Sequence, residues 1–236
     1  MSRPLVLAHR GARRDAPENT LVAFTLALAQ GADGVELDVH RTADDGLVVH
    51  HDADARRLGV LAGRTLADIR AARPDIPTLD ETLDACAGAV VNIEIKNLPG
   101  DGDFDPEDTA ADLVVACLDR RRGDEVVVSS FNLATIDRVR EQDPSVPTGF
   151  QIRRPLEPLA ALELCRERGH GALHPFTKLL KGDAADEVVA RAGELGVRVS
   201  VWTVNSEREI RRLASVGVHS VITDVPAVAV RVISPD

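Results

Sequence analysis

Short apolar runs alternate with longer stretches of helical periodicity along nearly the whole of this chain. This alternation is the order expected for a parallel sheet whose strands are joined by helices. We predict eight strands, at residues 5–8, 34–39, 90–95, 125–129, 146–150, 171–174, 198–203 and 220–223. Helical patterns follow most of them, at residues 20–29, 79–87, 106–121, 133–141, 158–168, 184–195, 207–215 and 227–232.

Several helical stretches stop at a glycine, as at Gly31, Gly196 and Gly217, and the next strand begins just after it. Eight such units within 236 residues predict an α/β fold of the (β/α)8 TIM-barrel type. A doubly wound open sheet is the alternative, disfavoured because no GxGxxG sequence follows the first strand. Residues 46–49 and 53–77 interrupt the alternation. We therefore expect residues 1–236 to form a single barrel domain, with a small insertion at about 53–77 after the second strand.

Composition narrows the class of protein. With 38 acidic and 28 basic residues the formal charge is −10, which argues against binding to nucleic acid or to an anionic membrane surface. No run approaches the roughly 18 apolar residues of a membrane span, so no stable membrane insertion is expected. The start of the chain lacks the features of a signal peptide, and we expect a cytoplasmic protein. The three cysteines form no CxxC motif and are expected to be buried free thiols.

The ends of the predicted strands carry ionisable residues, and in a barrel these ends form the active site. Glu36 and Asp38 are two residues apart on the second strand, so their side chains point to the same face. Two inward carboxylates without a cation would repel each other, and one would take up a proton. The pair therefore predicts a divalent cation site.

Glu94 and Lys96 repeat this spacing on the third strand. Glu94 could complete a set of three carboxylate ligands for Ca²⁺ or Mg²⁺, both of which prefer oxygen. The alternative is that Glu94 and Lys96 form a purely structural ion pair. Arg10 and Lys96 would place two positive charges beside the cation, an arrangement suited to phosphate.

His9 and His51 could act on either side of such a phosphate as general base and general acid. His50 and His51 are adjacent, and the spacing alone does not decide which of them points inward. Trp202 could belong to the core or line a substrate pocket. Residues 18–20 could be a helix start capped by Asn19, or they could place Glu18 in support of the site.

These residues resemble the signature of the glycerophosphodiester phosphodiesterases, in the same order along almost the whole chain. The first half of the match consists of His9-Arg10-Gly11, Pro17-Glu18-Asn19-Thr20, Gly31-Ala32-Asp33, Glu36-Leu37-Asp38-Val39, Asp45-Gly46 and His51-Asp52. The second half consists of Ile76-Pro77-Thr78-Leu79, Asn92-Ile93-Glu94-Ile95-Lys96, Ser129-Ser130-Phe131, Trp202-Thr203-Val204-Asn205 and Thr223-Asp224-Val225-Pro226.

The resemblance implies a barrel with a small insertion and one divalent cation, Mg²⁺ or Ca²⁺. It implies catalysis by His9 and by His51 rather than His50. The positions that it assigns to the metal are Glu36, Asp38 and Glu94, and those that it assigns to the substrate are Arg10, Lys96 and Trp202. One departure is the turn at residues 42–46, a residue longer than the family's usual Thr-x-Asp-Gly, which could shift His51.

The reaction that the resemblance implies is hydrolysis of a small-molecule glycerophosphodiester to sn-glycerol 3-phosphate and an alcohol. Whether water attacks directly or the substrate's own 2-hydroxyl first forms a cyclic phosphate stays open at this stage. Two other functions compete: a metal-dependent barrel lyase that cleaves head groups by internal transfer, and a binding module without turnover. The head-group preference and the oligomeric state are not predicted.

Overall fold

A computed structural model describes residues 3–121, 123 and 125–234. Its strands are β1 (Leu5–His9), β2 (Gly34–Arg41), β3 (Leu47–Val49), β4 (Asp54–Ala55), β5 (Gly59–Val60), β6 (Val90–Ile95), β7 (Val126–Ser130), β8 (Thr148–Ile152), β9 (Ala172–Pro175), β10 (Arg198–Val201) and β11 (Ser220–Thr223). Its α-helices are α1 (Leu21–Ala29), α2 (Leu66–Ala72), α3 (Leu79–Ala85), α4 (Thr109–Asp119), α5 (Leu133–Gln142), α6 (Pro158–Arg168), α7 (Ala184–Leu195), α8 (Glu207–Val216) and α9 (Pro226–Ile233). Single 3-10 turns lie at Leu61–Gly63 and Thr177–Leu179.

Eight parallel strands close into a barrel surrounded by helices. The strand order is β1-β11-β10-β9-β8-β7-β6-β2, and β1 also pairs with β2, which completes the ring. In the closing pair Leu7 lies opposite Gly34 and His9 lies opposite Glu36. The predicted (β/α)8 TIM-barrel fold is therefore confirmed.

The strands are buried on both faces, as expected for a parallel sheet covered by helices. In β2 the first seven residues are all buried, although they alternate between the barrel interior and the helix layer. Gly34 is required where β2 meets β6, because a Cβ there would lie 2.0 Å from the carbonyl oxygen of Val90. The helix-facing side chains form two large apolar clusters, which include Phe24 of α1 and Leu162 of α6.

Between β2 and α3 the chain builds a small substructure of its own. β3 extends the sheet as an antiparallel partner of β2, β4 pairs with β5, and α2 follows. These elements share a separate apolar cluster that includes Leu61, Ile69 and Ile76. Thr65 caps α2 by accepting a hydrogen bond from the backbone N–H of Asp68.

Several predicted element bounds differ from the structure for identifiable reasons. β8 begins at Thr148, two residues later than predicted, because Pro147 has no N–H to donate to a ladder. α4 begins at Thr109 rather than at residue 106, because Asp108 has a left-handed backbone (φ 53°) that a helix cannot include. Asn19 is also left-handed and is not the cap of α1. Thr20 has that role, accepting from the N–H of Ala23.

All three cysteines, Cys86, Cys117 and Cys165, are free and buried, as the sequence predicted. Burial raises the pKa of the Cys86 and Cys117 thiols to about 11 and that of Cys165 to about 12, so they stay protonated at neutral pH. Among the helices that the structure describes, none is long and apolar enough to cross a membrane.

Candidate active site

A cavity of about 340 Å³ opens at the carboxyl ends of the barrel strands. It brings together residues that lie far apart in the sequence. Of the residues predicted from the sequence, those that line it are His9, Arg10, Glu36, His51, Glu94, Lys96 and Trp202. Asp38, the remaining predicted residue, is fully buried and lies beside Glu36 and Glu94.

The turn after β1 fixes His9 and Arg10. Arg10 has a left-handed backbone (φ 56°), and its N–H donates to the Glu36 backbone carbonyl at 2.9 Å and to Oε2 of Glu36 at 3.1 Å. Gly11 follows with φ 80°, and a Cβ at this position would lie 2.6 Å from the carbonyl carbon of Ala23. Only glycine fits against α1 here, so the His-Arg-Gly sequence is required by the backbone as well as by the site.

Three carboxylates form a buried cluster at the centre of the site. Glu36, Asp38 and Glu94 each offer an oxygen within 4.8 Å of the others, and Asp38 is in register with Glu94 across β2 and β6. Burial, followed by repulsion from Asp38 and Glu94, raises the pKa of Glu36 well above its ordinary value. Three hard oxygen donors with poorly compensated negative charge fit a divalent cation of the Mg²⁺ or Ca²⁺ type.

Arg10 and Lys96 compensate part of this charge. The Arg10 Nε lies 3.1 Å from Oδ2 of Asp38, and the Lys96 ammonium lies 2.8 Å from Oδ1 and also bonds to Glu94. Burial alone would raise the pKa of Asp38, but Lys96, Arg10 and His51 hold it below its usual range. Burial would likewise lower the pKa of Lys96, yet Glu94 and Asp38 raise it overall, so Lys96 is charged at neutral pH.

Asn19 and Glu18 support these cations and carboxylates from the β1–α1 loop. The amide of Asn19 donates to Oδ2 of Asp38 at 2.8 Å, and Glu18 pairs with Arg10 at 3.0 Å and with Arg13 at 2.6 Å. Of the two alternatives open from the sequence, the structure shows Glu18 beside the site. The contact between Asn19 and Asp38 was not predicted.

Asp224, at the end of β11, holds His9. Its Oδ1 lies 2.6 Å from Nδ1 of His9, and its Oδ2 accepts a hydrogen bond from Asn205 at 2.7 Å. Burial would raise the pKa of Asp224, but His9, Asn205 and Arg13 hold it below its usual value, so Asp224 is ionised. Sequence reasoning placed Asp224 at a strand end without giving it a role. The signal was present, because His9 and Asp224 end the adjacent strands β1 and β11.

His51 lines the cavity from the chain that follows β3. Its Nδ1 is 2.6 Å from Oδ1 of Asp52, and 35% of its side chain is exposed. Burial, together with the charges of Lys96 and Arg10, lowers its pKa below the ordinary value despite the opposing effect of Asp38. His50 does not line the cavity, and its Nδ1 hydrogen-bonds to the backbone carbonyl of Asp52 at 2.8 Å.

The extra residue in the turn at residues 42–46 lies within the connection between β2 and β3. Thr42 closes it by accepting from the N–H of Gly46, while Asp44 accepts from the N–H of Leu66 at the start of α2. Asp45 has a left-handed backbone (φ 61°), which lets the chain reverse direction between β2 and β3. The β2–β3 pairing directly follows this turn, with Arg41 opposite Leu47, and His51 still lines the cavity.

His40 forms a contact that was missed from the sequence. Its Nδ1 lies 2.5 Å from Oδ2 of Asp103, and its Nε2 lies 3.2 Å from the carbonyl oxygen of His51. Both side chains are almost fully buried. Asp103 belongs to the loop after β6, whose residues Asp101 and Gly102 line the cavity. His40 therefore joins this loop to the segment that carries His51. No motif in the sequence predicts a contact between residues so far apart.

Aromatic rings form one wall of the cavity. The ring of Trp202 meets Phe131 edge-on with centroids 5.3 Å apart, and it lies 4.9 Å from the ring of Phe176. The Trp202 indole N–H donates to the carbonyl of His174 at 2.8 Å. Trp202 is half-buried and lines the cavity, so it combines the packing and pocket roles left open from the sequence.

A closed parallel barrel with carboxylates, basic side chains and two histidines at its carboxyl end is an arrangement suited to the hydrolysis of phosphate esters. Residues 9–228 match the model of the glycerophosphoryl diester phosphodiesterase family, and the chain belongs to this family. It is a phosphoric diester hydrolase, as the motif resemblance implied.

Individual relatives with similar names align with this chain over almost their whole length. A glycerophosphodiester phosphodiesterase of Caldanaerobacter subterraneus subsp. tengcongensis is 31% identical over 250 aligned positions, covering 97% of each chain. The solved structure of the Thermotoga maritima glycerophosphodiester phosphodiesterase matches with a TM-score of 0.84 and 28% identity, over 98% of this chain and 99% of that one. An Oleispira antarctica phosphodiesterase, solved in complex with the product sn-glycerol-3-phosphate, matches with a TM-score of 0.84 and 25% identity, over 98% and 97% of the chains.

Proposed function

We propose that this chain hydrolyses glycerophosphodiesters to sn-glycerol 3-phosphate and an alcohol, using His9 and His51 for proton transfer and a divalent cation held by Glu36, Asp38 and Glu94. The observation that carries the proposal is the convergence of these five side chains at one cavity. The Oleispira antarctica relative, whose structure contains sn-glycerol-3-phosphate, supports the choice of product.

The carboxylate cluster fits a cation of the Mg²⁺ or Ca²⁺ type. Its donors are all oxygens, and burial together with repulsion from Asp38 and Glu94 outweighs Arg10 and Lys96 in raising the pKa of Glu36, so a further positive charge would be favourable there. When bound, such a cation stabilises negative charge on the phosphoryl oxygens. Arg10 and Lys96 both line the cavity, and we propose that they bind the remaining phosphoryl oxygens through their N–H groups.

His9 is oriented for proton transfer by Asp224. The contact at Nδ1 turns the Nε2 atom of His9 toward Glu36, 4.0 Å away, at the floor of the cavity. We propose that Nε2 accepts a proton from the attacking hydroxyl, and that the ionised Asp224 offsets the positive charge that then forms on the ring. The same division of roles holds for a histidine and a buried aspartate in hydrolases generally.

His51 acts on the other side of the phosphorus in this proposal. Its contact with Asp52 fixes the ring, and its lowered pKa keeps it mostly neutral at physiological pH. The leaving alkoxide takes its proton from the protonated form of His51, so only the fraction of molecules with an imidazolium at this position completes the step, and the ring is then reprotonated from solvent. Trp202 provides an apolar surface for the carbon atoms of the substrate.

We further propose that residues 1–236 act as one domain, with residues 53–77 as the insertion beside the cavity. The apolar cluster of this insertion includes Val48 of β3 and Ile76, which lies shortly before α3. Ala53 of the same segment lines the cavity beside Asp52, so the insertion faces bound substrate. A cytoplasmic location stays a prediction from the sequence.

The proposal is tested by incubating the purified protein with the glycerophosphodiesters of choline, ethanolamine, glycerol and inositol and measuring sn-glycerol 3-phosphate enzymatically. We expect release from at least one diester, loss of release in excess chelator, and recovery on addition of Mg²⁺ or Ca²⁺. Phosphorus NMR of the same reaction identifies the product. Absence of sn-glycerol 3-phosphate from all four diesters would contradict the proposed substrate class, and full activity in chelator would contradict the cation site.

A further inference from the structure

A second cavity, of about 560 Å³, lies at the opposite end of the barrel, where the strands begin. We call it the amino-terminal cavity. It is lined by the first residues of seven barrel strands or the residues just before them, and it extends inward to His174 in the middle of the barrel. Its volume is within the range of small-molecule sites. None of the residues assigned above to catalysis, metal or substrate lines it.

Buried polar atoms without hydrogen-bond partners surround this cavity. Within the described part of the chain, Oδ1 of Asn92, Nδ1 of His174 and Oγ of Ser220 have no hydrogen-bond partner. The three residues are only 1–2% exposed, and all line the cavity. Buried polar atoms are nearly always satisfied in folded proteins, so three of them around one cavity indicate a polar occupant.

The guanidinium of Arg198 makes the cavity favourable for an anion. Arg198 makes no ion pair or side-chain hydrogen bond with any residue in the described ranges, and it lines the cavity with His219. Burial, with the charges of Arg198 and His219 acting in the same direction, lowers the pKa of His174 to about 3. Burial and then Arg198 also lower the pKa of His219. One guanidinium and two largely neutral imidazoles thus converge, and no carboxylate is among the groups that shift the pKa of either histidine.

One acidic residue, Glu125, lies at the edge of the cavity. It is exposed and forms no ion pair with the residues described. Hydroxyl donors are available deeper in the cavity, because Ser200 lines it beside Ser220 and both are buried. The cavity therefore combines a guanidinium and an imidazole near its mouth with two hydroxyls below them.

We infer that the amino-terminal cavity is a binding site for a small oxyanion, held by Arg198, His219 and the hydroxyls of Ser200 and Ser220. The guanidinium fork matches the oxygens of phosphate or carboxylate, and hydroxyls donate to the remaining oxygens. An oxyanion would also satisfy Ser220 and offset the charge of Arg198. This site is separate from the proposed catalytic cavity and does not depend on its function.

The test follows the imidazole ¹⁵N signals of the full chain by NMR, each assigned with a single His→Gln variant. Inorganic phosphate and, in a second arm, acetate are added to the wild type against sodium chloride of equal ionic strength. We expect saturable shifts of His174 and His219 with a dissociation constant of about 1 mM or tighter for phosphate. His9 and His51 report separately on phosphate in the catalytic cavity, so the two sites are distinguished in one spectrum.

Arg198→Gln is the decisive variant, because Arg198 is exposed at the mouth and its replacement leaves the core intact. It should weaken the phosphate response of His174 and His219 by at least about tenfold while leaving that of His9 and phosphodiesterase activity unchanged. Arg166→Gln, at an exposed position on α6, is the matched control and should bind as the wild type does. Acetate binding alone would assign the site to carboxylates. Absence of saturable shifts with either anion, or equal binding by Arg198→Gln, would overturn the inference.

Discussion

The Nδ1 atom of His9 lies 2.6 Å from Oδ1 of Asp224, across the seam where β1 and β11 meet. The two residues are 215 positions apart in the sequence, yet each directly ends or follows its strand. This contact directs Nε2 of His9 into the cavity. Asp224 is therefore a positioning residue for the proposed proton transfer.

Asp224→Asn should lower kcat by about 10²–10⁴-fold, because the amide cannot offset the charge that His9 gains. KM should change little, since Asp224 is not among the residues that line the cavity. Steady-state kinetics on the best diester measure both parameters. Asp186→Asn, at an exposed position in the first turn of α7, is the control and should retain wild-type kcat. A large rise in KM with unchanged kcat would show that Asp224 does not act through His9.

Glu36→Gln should have opposite effects on the metal-free and metal-bound protein. Without a cation the variant removes the cost of ionising Glu36, which burial and repulsion from Asp38 and Glu94 impose in the folded state, so the free energy of unfolding at neutral pH should rise. The wild type should gain about 2.7 kcal/mol when Mg²⁺ or Ca²⁺ is present at a hundred times its dissociation constant, and the variant should gain much less. Urea unfolding of the wild type and the variant, with chelator and then with added Mg²⁺ or Ca²⁺, measures both free-energy differences. Equal cation-dependent gains in the two proteins would place the cation elsewhere.

His174 should make stability depend on pH. Its folded-state pKa of about 3 lies below the ordinary 6.5, so the unfolded chain binds a proton at a higher pH than the folded chain does. The free energy of unfolding therefore has its full value above pH 6.5, where His174 is neutral in both states, and it decreases progressively as the pH falls toward 3. Between pH 6.5 and about pH 5 the wild type should lose about 2 kcal/mol more than His174→Gln.

Urea unfolding in phosphate-free buffers at several pH values measures this difference. His50→Gln is the control, because His50 is only partly buried and lies near the barrel mouth, at the opposite end of the barrel from the amino-terminal cavity that His174 lines. If His174→Gln and the wild type lose stability in parallel over this range, the histidine is not buried in its neutral form.

His40 and Asp103 should be energetically coupled in the reaction. The buried contact between them joins the loop after β6 to the carbonyl of His51, so either substitution releases the same link. His40→Gln and Asp103→Asn should each lower kcat, and the double variant should lose less than the sum, with a coupling of about 0.5–3 kcal/mol. A cycle of His50→Gln with Asp103→Asn should be additive. Additive losses for His40 and Asp103 would mean that they do not act through His51 together.

The barrel could be predicted from the sequence because its strands are short apolar runs, most of them followed by a helical pattern and several of those patterns closed by a glycine. The same regularity placed Glu36, Asp38, Glu94 and Lys96 together, since the carboxyl ends of parallel strands share one edge. The unpredicted parts depend on local exceptions. The short strand β3 and helix α2 lie in a stretch without the βα period, and Asp108 ends the α4 pattern early through its own backbone conformation.

The contacts that hold the site residues in position were harder to predict than the site residues themselves. A helix cap was one of the two roles open to the segment of Asn19, and its left-handed backbone instead turns the amide toward Asp38. The contact of His40 with Asp103 depends on how a loop folds back over the barrel, which no periodicity encodes. Contacts of this kind are set by tertiary packing, so they become visible only in the three-dimensional structure.

The most direct test of the proposed function compares single variants of His9, His51 and His50 in the assay for sn-glycerol 3-phosphate. His9→Ala and His51→Ala should each abolish release while unfolding at the wild-type temperature, because each removes one of the two proposed proton-transfer groups. His50→Ala, one residue from His51 and outside the cavity, should keep wild-type activity. Wild-type turnover by folded His9→Ala or His51→Ala would contradict the account.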